Sequence, residues 1–355
     1  MQRAADTIFA PACAAVAQVV YALGFSHWKR AIVRDFFVGS EVVFVDRPDQ
    51  VPANCVLAVW GSRPLPAHIG DGVRLLRLED GFLRSVGLGA DLIRPISWVV
   101  DAKGIYYDST RPSDLELLLA TTSFTADLID RARQLRKRIA TTGMTKYNVG
   151  GARWTAPDGT RRIILVPGQV ETDASIAFGA PGEKTNLGLL RSVREANPHA
   201  HVLYKPHPDV VAGLRASGAG EDSAAKWCDE VVTDAPMGDL LCNVDEVHVL
   251  TSLAGFEALL RGRAVTCYGQ PFYSGWGLTQ DLIALPRRNR VLQIDELVAG
   301  VLILYPRYMS RRSGALISPE QALDELLDWR ERAGPDVPWW RRALRMVLRR
   351  VVGVR

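Results

Sequence analysis

Two carboxylates stand on the stretch Val166-Pro167-Gly168-Gln169-Val170-Glu171-Thr172-Asp173-Ala174-Ser175-Ile176, directly after a short, β-branched apolar run at 162–166. That run predicts a buried strand, and Pro167-Gly168 ends it. In an open α/β sheet, ligands bind just beyond the carboxyl ends of strands. Asp173 therefore stands where a nucleophile or a base is useful. The ordinary alternative is that Asp173 only caps the next helix, since Asp is a favoured N-cap. Similar loops elsewhere in the chain tip the balance towards chemistry.

Leu78-Glu79-Asp80-Gly81-Phe82-Leu83-Arg84-Ser85 places adjacent carboxylates at another strand end. They form an ion pair with Arg84 on a turn, or they face a cleft and supply a base for a sugar hydroxyl. The sequence does not separate Glu79 from Asp80. Tyr204-Lys205-Pro206-His207-Pro208-Asp209 holds a histidine between two prolines, which fix the backbone on both sides. Lys205 and His207 together suit an anionic phosphate, because both can donate charged hydrogen bonds. In Leu250-Thr251-Ser252-Leu253-Ala254-Gly255-Phe256-Glu257, Thr251 or Ser252 caps a helix whose free N–H groups and dipole favour an anion. Glu257, further into that helix, is placed for ribose hydroxyls. Together these loops predict a phosphate-plus-ribose pocket facing the carboxylates of the first half. Gln169, beside Asp173, joins the donor-binding set.

No metal is expected. Asp80 lacks a second Asp two residues away, and Asp239 and Asp245 are too far apart in sequence to serve as a dyad. A nucleoside monophosphate donor needs no metal, because its leaving phosphate carries less charge than a diphosphate. No other cofactor is implied.

The elements that must position these loops read as α/β. At 355 residues the chain can hold two domains of ordinary size, and 48% apolar with 23% charged residues is a globular composition. A net charge of +4 gives no case for nucleic acid. The five cysteines, Cys13, Cys55, Cys228, Cys242 and Cys267, are scattered and predict reduced thiols in a cytoplasmic protein. Residues 9–23 and 26–37 read as helices, the first in preference to a signal peptide. Strands are predicted at 42–45, 56–60 and 73–78, a hairpin at 98–101 and 104–107 over Ala102-Lys103, and helices opening at Pro112 and spanning 124–141. Gly143, Gly150, Gly151 and Pro157 mark a boundary. Thereafter strands near 162–166, 201–205, 229–233, 246–250 and 264–268 alternate with helices near 185–196, 237–242 and 253–261, which predicts a parallel sheet covered on both faces. Two such halves with a cleft between them describe a GT-B-like pair of Rossmann-like domains. Composition also admits periplasmic binding proteins and two-domain dehydrogenases, but no GxGxxG follows the first strand. The expected division is 1–155 on the acceptor side, 156–335 binding the donor, and a helix at 336–355.

The chain resembles the KpsC/LipB family of bacterial capsule proteins, the β-Kdo transferases. LEDGFLRSVGLGADLIRPISWVVD (78–101), GIYYD (104–108), VPGQVETDASI (166–176), YKPHPDVV (204–211) and TSLAGFEALLRGRAVTCYGQPFYSGWGLTQD (251–281) carry the resemblance in order. Members often carry two catalytic modules in tandem, and this chain resembles the C-terminal one, associated with β-(2→7) linkages. The resemblance implies CMP-β-Kdo as donor, a Kdo-terminated glycolipid or oligosaccharide as acceptor, retention of configuration, and Asp173 as the nucleophile of a covalent intermediate. It also implies His207 on CMP, Ser252 on the phosphate, and Glu79 or Asp80 handling the acceptor proton, with Glu79 preferred. Lys184 and Arg84 are candidates for the Kdo carboxylate. Tyr273 and Trp276 either line the cleft or pack in the core. Alternatives are β-(2→4) transfer, another CMP-activated acid sugar, or a non-catalytic protein that binds Kdo-capped glycolipid.

After Pro335 and Pro338, apolar residues at 340, 343, 344, 347, 348 and 351 form a helical stripe, with Arg341, Arg342, Arg345 and Arg349 off it. Trp339 and Trp340 open the segment. This predicts an interfacial helix on anionic lipid through 339–352, hence a cytoplasmic protein peripheral to the inner membrane, with other capsule-assembly proteins as further partners.

Overall fold

The computed structural model describes residues 19–333, apart from 66–68, 70, 88–92, 149–150, 152 and 160–161. The expected membrane-facing helix at 336–355 and the start of the expected N-terminal helix lie outside the described residues.

The first half opens with β1 (Val19–Leu23), α1 (His27–Phe36), β2 (Glu41–Val45), β3 (Val56–Trp60), β4 (Arg74–Asp80) and β5 (Ser97–Asp101). Helices α2 (Asp114–Thr121) and α3 (Ala126–Thr141) follow. The second half contains β6 (Ile163–Pro167), α4 (Ala174–Gly179), α5 (Asn186–Ala196), β7 (His201–Lys205), α6 (Pro208–Val211), β8 (Glu230–Val231), α7 (Met237–Asn243), β9 (Glu246–Val249), α8 (Leu253–Leu259), β10 (Ala264–Cys267) and β11 (Gln280–Asp281). The chain then runs through α9 (Ile294–Val298), a π-helical turn at Ala299–Leu304, β12 (Pro306–Met309), β13 (Leu316–Ile317) and α10 (Pro319–Ala333).

Two sheets result. The seven-stranded sheet has the order β13-β12-β5-β4-β3-β1-β2 and the six-stranded one β11-β10-β9-β6-β7-β8. Every pairing in the second sheet is parallel, as the strand–helix alternation predicts. The first is parallel from β2 to β4 and antiparallel from β5 outward.

The structure corrects the expected boundaries in three places. Residues 19–23 are not the end of a helix. They form a strand between β2 and β3 with Val20 and Ala22 fully buried. A strand covered on both faces has a continuous apolar run, which periodicity alone does not distinguish from a buried helix. The expected hairpin partner at 104–107 is a turn, because the Asp101 carboxylate takes over the hydrogen bonds a ladder would need. Its Oδ1 accepts from Lys103 N (2.9 Å) and Gly104 N (2.8 Å), and its Oδ2 accepts from Asp114 N (2.9 Å) and Tyr305 Oη (2.7 Å). Finally, residues 156–335 do not all stay with the second sheet. β12 and β13 return to the first sheet and extend it from β5.

The halves are stitched through apolar and charged contacts. Phe82 of the first half packs against Phe256 and Phe272 of the second, with centroids at 6.1 and 4.8 Å. Glu116, in the first turn of α2, binds Arg288 Nε at 2.8 Å and also pairs with Arg287. The Arg288 side chain is 3% exposed and Glu116 8%. Removing one partner of a buried pair leaves an uncompensated charge. Glu116→Ala is therefore expected to destabilise the fold by about 3–5 kcal/mol in urea unfolding. A change below about 1 kcal/mol would mean that solvent already compensates Arg288.

Candidate active site

The carboxyl ends of β3, β4, β6, β7 and β9 open onto one cleft of ≈ 970 Å³. Glu79, Asp80, Gln169, Asp173, Lys205, His207, Thr251, Ser252 and Glu257, which the sequence names for catalysis or donor binding, line it. Arg84 does as well. Lys184 is not among the lining residues. Tyr273 and Trp276 are fully buried and belong to the core. Tyr273 supports the site from behind, because its hydroxyl donates to the Ser252 carbonyl. A Cβ at Gly255 would stand 2.3 Å from that hydroxyl, which is why the helix passes with a glycine there.

Asp173 is both a helix cap and a cleft residue. It is the N-cap of α4, accepting from Ser175 N at 3.0 Å through Oδ1. It is also exposed to the cleft, and its charge is felt by His207 and by Tyr107. The cap aims the side chain: an N-cap carboxylate bound to its own helix has little freedom left, and the second oxygen stays available.

The structure separates Glu79 from Asp80. Asp80 is consumed by structure. Its Oδ2 binds Arg84 Nε at 2.6 Å and its Oδ1 accepts from Trp98 Nε1 at 3.2 Å. Burial works against its charge, but Arg84 and Lys146 outweigh burial and hold the carboxyl below its ordinary range. Arg84 is spent in turn on Asp80, Ser85 Oγ (2.9 Å) and the Ile93 carbonyl (3.3 Å), so it is poorly placed to hold a ligand carboxylate. Among the described residues, the Glu79 side chain accepts one hydrogen bond, from Asp80 N, 3.0 Å from Oε1. Burial, together with the Asp80 charge, pushes its carboxyl up to about 7. Such a group exchanges protons near neutrality, as general acid–base work requires. Gly61 keeps space in front of it: a Cβ there would stand 3.1 Å from Glu79 Oε2 and 2.7 Å from Tyr107 Oη.

On the opposite wall, Lys205 Nζ donates to the Thr233 carbonyl at 3.3 Å and burial lowers its ammonium to about 8. His207 accepts from Asp209 N through Nδ1 at 3.1 Å, which leaves the proton on Nε2. Burial also lowers its pKa, despite the nearby carboxylates of Asp209 and Asp173. The imidazole is therefore neutral at pH 7. With Nδ1 engaged, Nε2–H is the donor His207 can offer a ligand, beside the Lys205 ammonium.

Gln169 and Thr251 clamp each other. Gln169 Nε2 donates to Thr251 Oγ1 (3.0 Å) and Gln169 Oε1 accepts from Thr251 N (2.9 Å). Ser252 Oγ caps Ala254 N at 3.3 Å. The α8 terminus thus has fewer free N–H groups than expected, because Ser252 takes Ala254 N through its hydroxyl and Gly255 N through its carbonyl. Glu257 is also partly committed: one oxygen accepts from Lys146 N at 2.7 Å, and burial raises its pKa.

Reasoning from the sequence missed the residues that come from the segment between the halves and from helix ends. Lys146 and Tyr147 lie on the glycine-bearing stretch read as a boundary, yet both line the cleft. Asn148, at φ 52°, shapes this turn, donating from Nδ2 to the carbonyls of Ser85 (3.0 Å) and Thr145 (2.7 Å). Burial disfavours the Lys146 charge, but Tyr147, Asp80 and Glu79 outweigh it and hold the ammonium above its usual value. Tyr107, Trp28, Lys29 and Trp60 also line the cleft. A Lys-Tyr pair inside a glycine-bearing linker was the available signal for Lys146, whereas nothing local distinguished Lys29. Among the described residues, no group of three or more His, Cys, Asp or Glu is arranged to hold a metal ion.

The sequence profile of the family described as "Capsule polysaccharide biosynthesis protein" matches residues 58–308, a span that contains every one of these site residues apart from Trp28 and Lys29. The chain belongs to the capsule polysaccharide biosynthesis family. The resemblance carried by the sequence motifs thus holds. Capsule polysaccharide modification protein LipA of Neisseria meningitidis serogroup A is 43% identical over 321 residues, covering 87% of this chain and 45% of LipA. Lipopolysaccharide-processing protein LpsZ of Rhizobium meliloti is 41% identical over 325 residues, covering 87% of this chain and 74% of LpsZ. The chain thus spans about half the length of the LipA relatives it matches. Among solved structures of this capsule family, Thermosulfurimonas dismutans KpsC, described as a beta Kdo 2,7 transferase, is 42% identical with a TM-score of 0.73, covering 88% of this chain and 99% of that one. The KpsC structure described as a beta Kdo 2,4 transferase is 32% identical at the same TM-score and coverage.

Proposed function

We propose that this chain is a retaining glycosyltransferase that moves β-Kdo from CMP-β-Kdo to a Kdo-bearing acceptor in capsule synthesis. The observation that carries the reading is the convergence of Asp173, Glu79, Lys205 and His207 on one cleft in a chain 42% identical to a Kdo transferase. Two α/β units facing each other across that cleft support a GT-B arrangement. The higher identity to the 2,7 than to the 2,4 enzyme supports a β-(2→7) linkage.

In the first step an Asp173 oxygen attacks the anomeric carbon as the bond to CMP breaks, and CMP leaves with the electron pair. The departing phosphate is already anionic and needs no proton. Lys205 offsets its charge and His207 Nε2–H donates to it. In the second step the acceptor oxygen attacks the same carbon from the vacated face, the bond to Asp173 breaks, and Glu79 takes the hydroxyl proton. Two inversions give retention. A carboxylate next to an oxocarbenium-like centre both stabilises and captures it. Lys146, whose ammonium has no ion-pair partner among the described residues, is placed to hold the Kdo carboxylate.

The test is to mix the purified protein with CMP-Kdo and a synthetic Kdo-terminated acceptor and to determine the product by NMR. A β-linked Kdo joined through O7 is the expected product. CMP-Kdo left unconsumed would overturn the assignment. Membrane attachment through 339–352 belongs to the same reading, since it would bring a lipid-linked acceptor to the cleft. Deleting residues 336–355 is expected to release the protein from anionic liposomes while transfer to a soluble acceptor continues. Unchanged liposome binding contradicts that role.

A further inference from the structure

We propose that Trp28, Lys29 and Trp60 form the acceptor subsite and select a sugar that carries a carboxylate. The Lys29 ammonium pairs with that carboxylate, and the indoles pack against the sugar's C–H surface. This rests on the transferase reading and extends it to the other substrate.

The geometry places the subsite beside Glu79. Trp60 ends β3, and its register partner on β4 is Leu78, the residue before Glu79. By the pleat Trp60 shares its face with Leu78 while Glu79 points to the other, so a sugar against Trp60 meets Glu79 above the strand ends, where both line the cleft. Trp28, Lys29, Trp60 and Glu79 all line the cleft. Lys29 Nζ lies 3.0 Å from the Trp60 ring centroid and 5.5 Å from that of Trp28. Trp60 is fixed in turn by the buried Trp98, 5.2 Å away edge-on.

The ammonium lacks its own counter-ion. Among the described residues no carboxylate forms an ion pair with it, and Asp80 and Glu79 act on it only from a distance. Burial lowers it to about 8 in spite of those two charges. Aromatic faces supply part of what a buried cation loses, but not a charged hydrogen bond. An arriving carboxylate supplies it. The donor's charged groups have partners elsewhere, since Lys205 and His207 come from the second sheet's loops and Lys146 from the linking segment. A phosphate on a lipid-linked acceptor could also meet the ammonium. Two indoles flanking it favour a ligand with apolar ring C–H groups beside its charge.

The test compares three acceptors with the full-length protein: one ending in an acidic sugar, its carboxamide, and the carboxamide bearing a phosphate aglycone. The wild type is expected to favour the acid over the carboxamide by about ten- to hundred-fold in acceptor kcat/KM, mostly through KM, with donor KM unchanged. Lys29→Met should shrink that ratio to about threefold or less, and Lys29→Arg should keep most of it, since Arg retains a cation at the same place. A folding defect would lower all rates together and leave the ratio intact, so the ratio reads the contact itself. An equal acid preference in wild type and Lys29→Met overturns the proposal, as does a phosphate-bearing carboxamide that performs as well as the acid. Failure of the wild type to use CMP-Kdo with any acceptor overturns both readings, whereas an unchanged ratio in Lys29→Met overturns only this one.

Discussion

Asp173→Asn is expected to lose transfer by about 10³-fold or more in kcat while the protein stays folded. Asn serves about as well as Asp at an N-cap. The amide oxygen can still accept from Ser175 N, the bond that Asp173 makes at 3.0 Å. Thermal or urea unfolding should therefore move by less than about 0.5 kcal/mol. The variant separates the two roles of this side chain, because the cap survives and the nucleophile does not. Asp173→Ala loses both, and should add a stability cost of about 1 kcal/mol. Near-normal turnover in the Asn variant would remove Asp173 as the nucleophile and leave it a capping residue.

Glu79→Gln should slow transfer by about 10²–10⁴-fold, the range for removing a general base. Its effect should also be stage-specific. Leaving-group departure needs no proton, so the variant should still form the Kdo-enzyme bond on Asp173 and then stall. An intact-mass measurement after mixing with CMP-Kdo should show one added Kdo, and none in the Asp173→Asn protein. The pH profile tests the same residue. A base must be ionised, and Glu79 sits at about 7. Wild-type acceptor kcat/KM should fall roughly tenfold per pH unit below 7 and level off above it. Lys29, at about 8, then loses the charge that meets the acceptor carboxylate as pH rises further and bends the profile down. In Glu79→Gln the acid limb near 7 should vanish. Asp80→Asn should behave differently. It leaves the Arg84 guanidinium, 3% exposed at its side chain, without its carboxylate, and should cost stability before it costs chemistry. An acid limb that persists in Glu79→Gln and disappears in a folded Asp80→Asn would reverse the assignment.

Much of the second half was legible from local pattern. The strands at 163–167, 201–205, 246–249 and 264–267 are short and apolar, and each ends in a turn or a cap. In a parallel sheet such strands have helices between them, so the polar loops at their carboxyl ends had to share one edge. That is why Asp173, Lys205, His207, Thr251 and Ser252 could be named together before any coordinates. The motif blocks carried the family for a related reason: 78–101 and 251–281 are long ordered strings whose loops must match a ligand as well as a fold.

What required the tertiary structure was everything set by partners distant in sequence. Residues 19–23 have the same apolar run in a helix as in a strand, and only pairing with 41–45 and 56–58 makes them a central strand. The strands at 306–309 and 316–317 rejoin the first sheet, which no local signal states. Glu79 and Asp80 are adjacent carboxylates with the same local context. They differ because Arg84 and Trp98 reach one of them and burial isolates the other, and both are effects of what folds around them. Lys29 and Lys146 lie on a helix and on a linking turn, and they become cleft residues only when two sheets close on either side. Sequence sets which side chains stand at strand ends, because chain direction and pleat are local. Charge, tautomer and pKa depend on neighbours brought from far along the chain, and only the folded molecule supplies those.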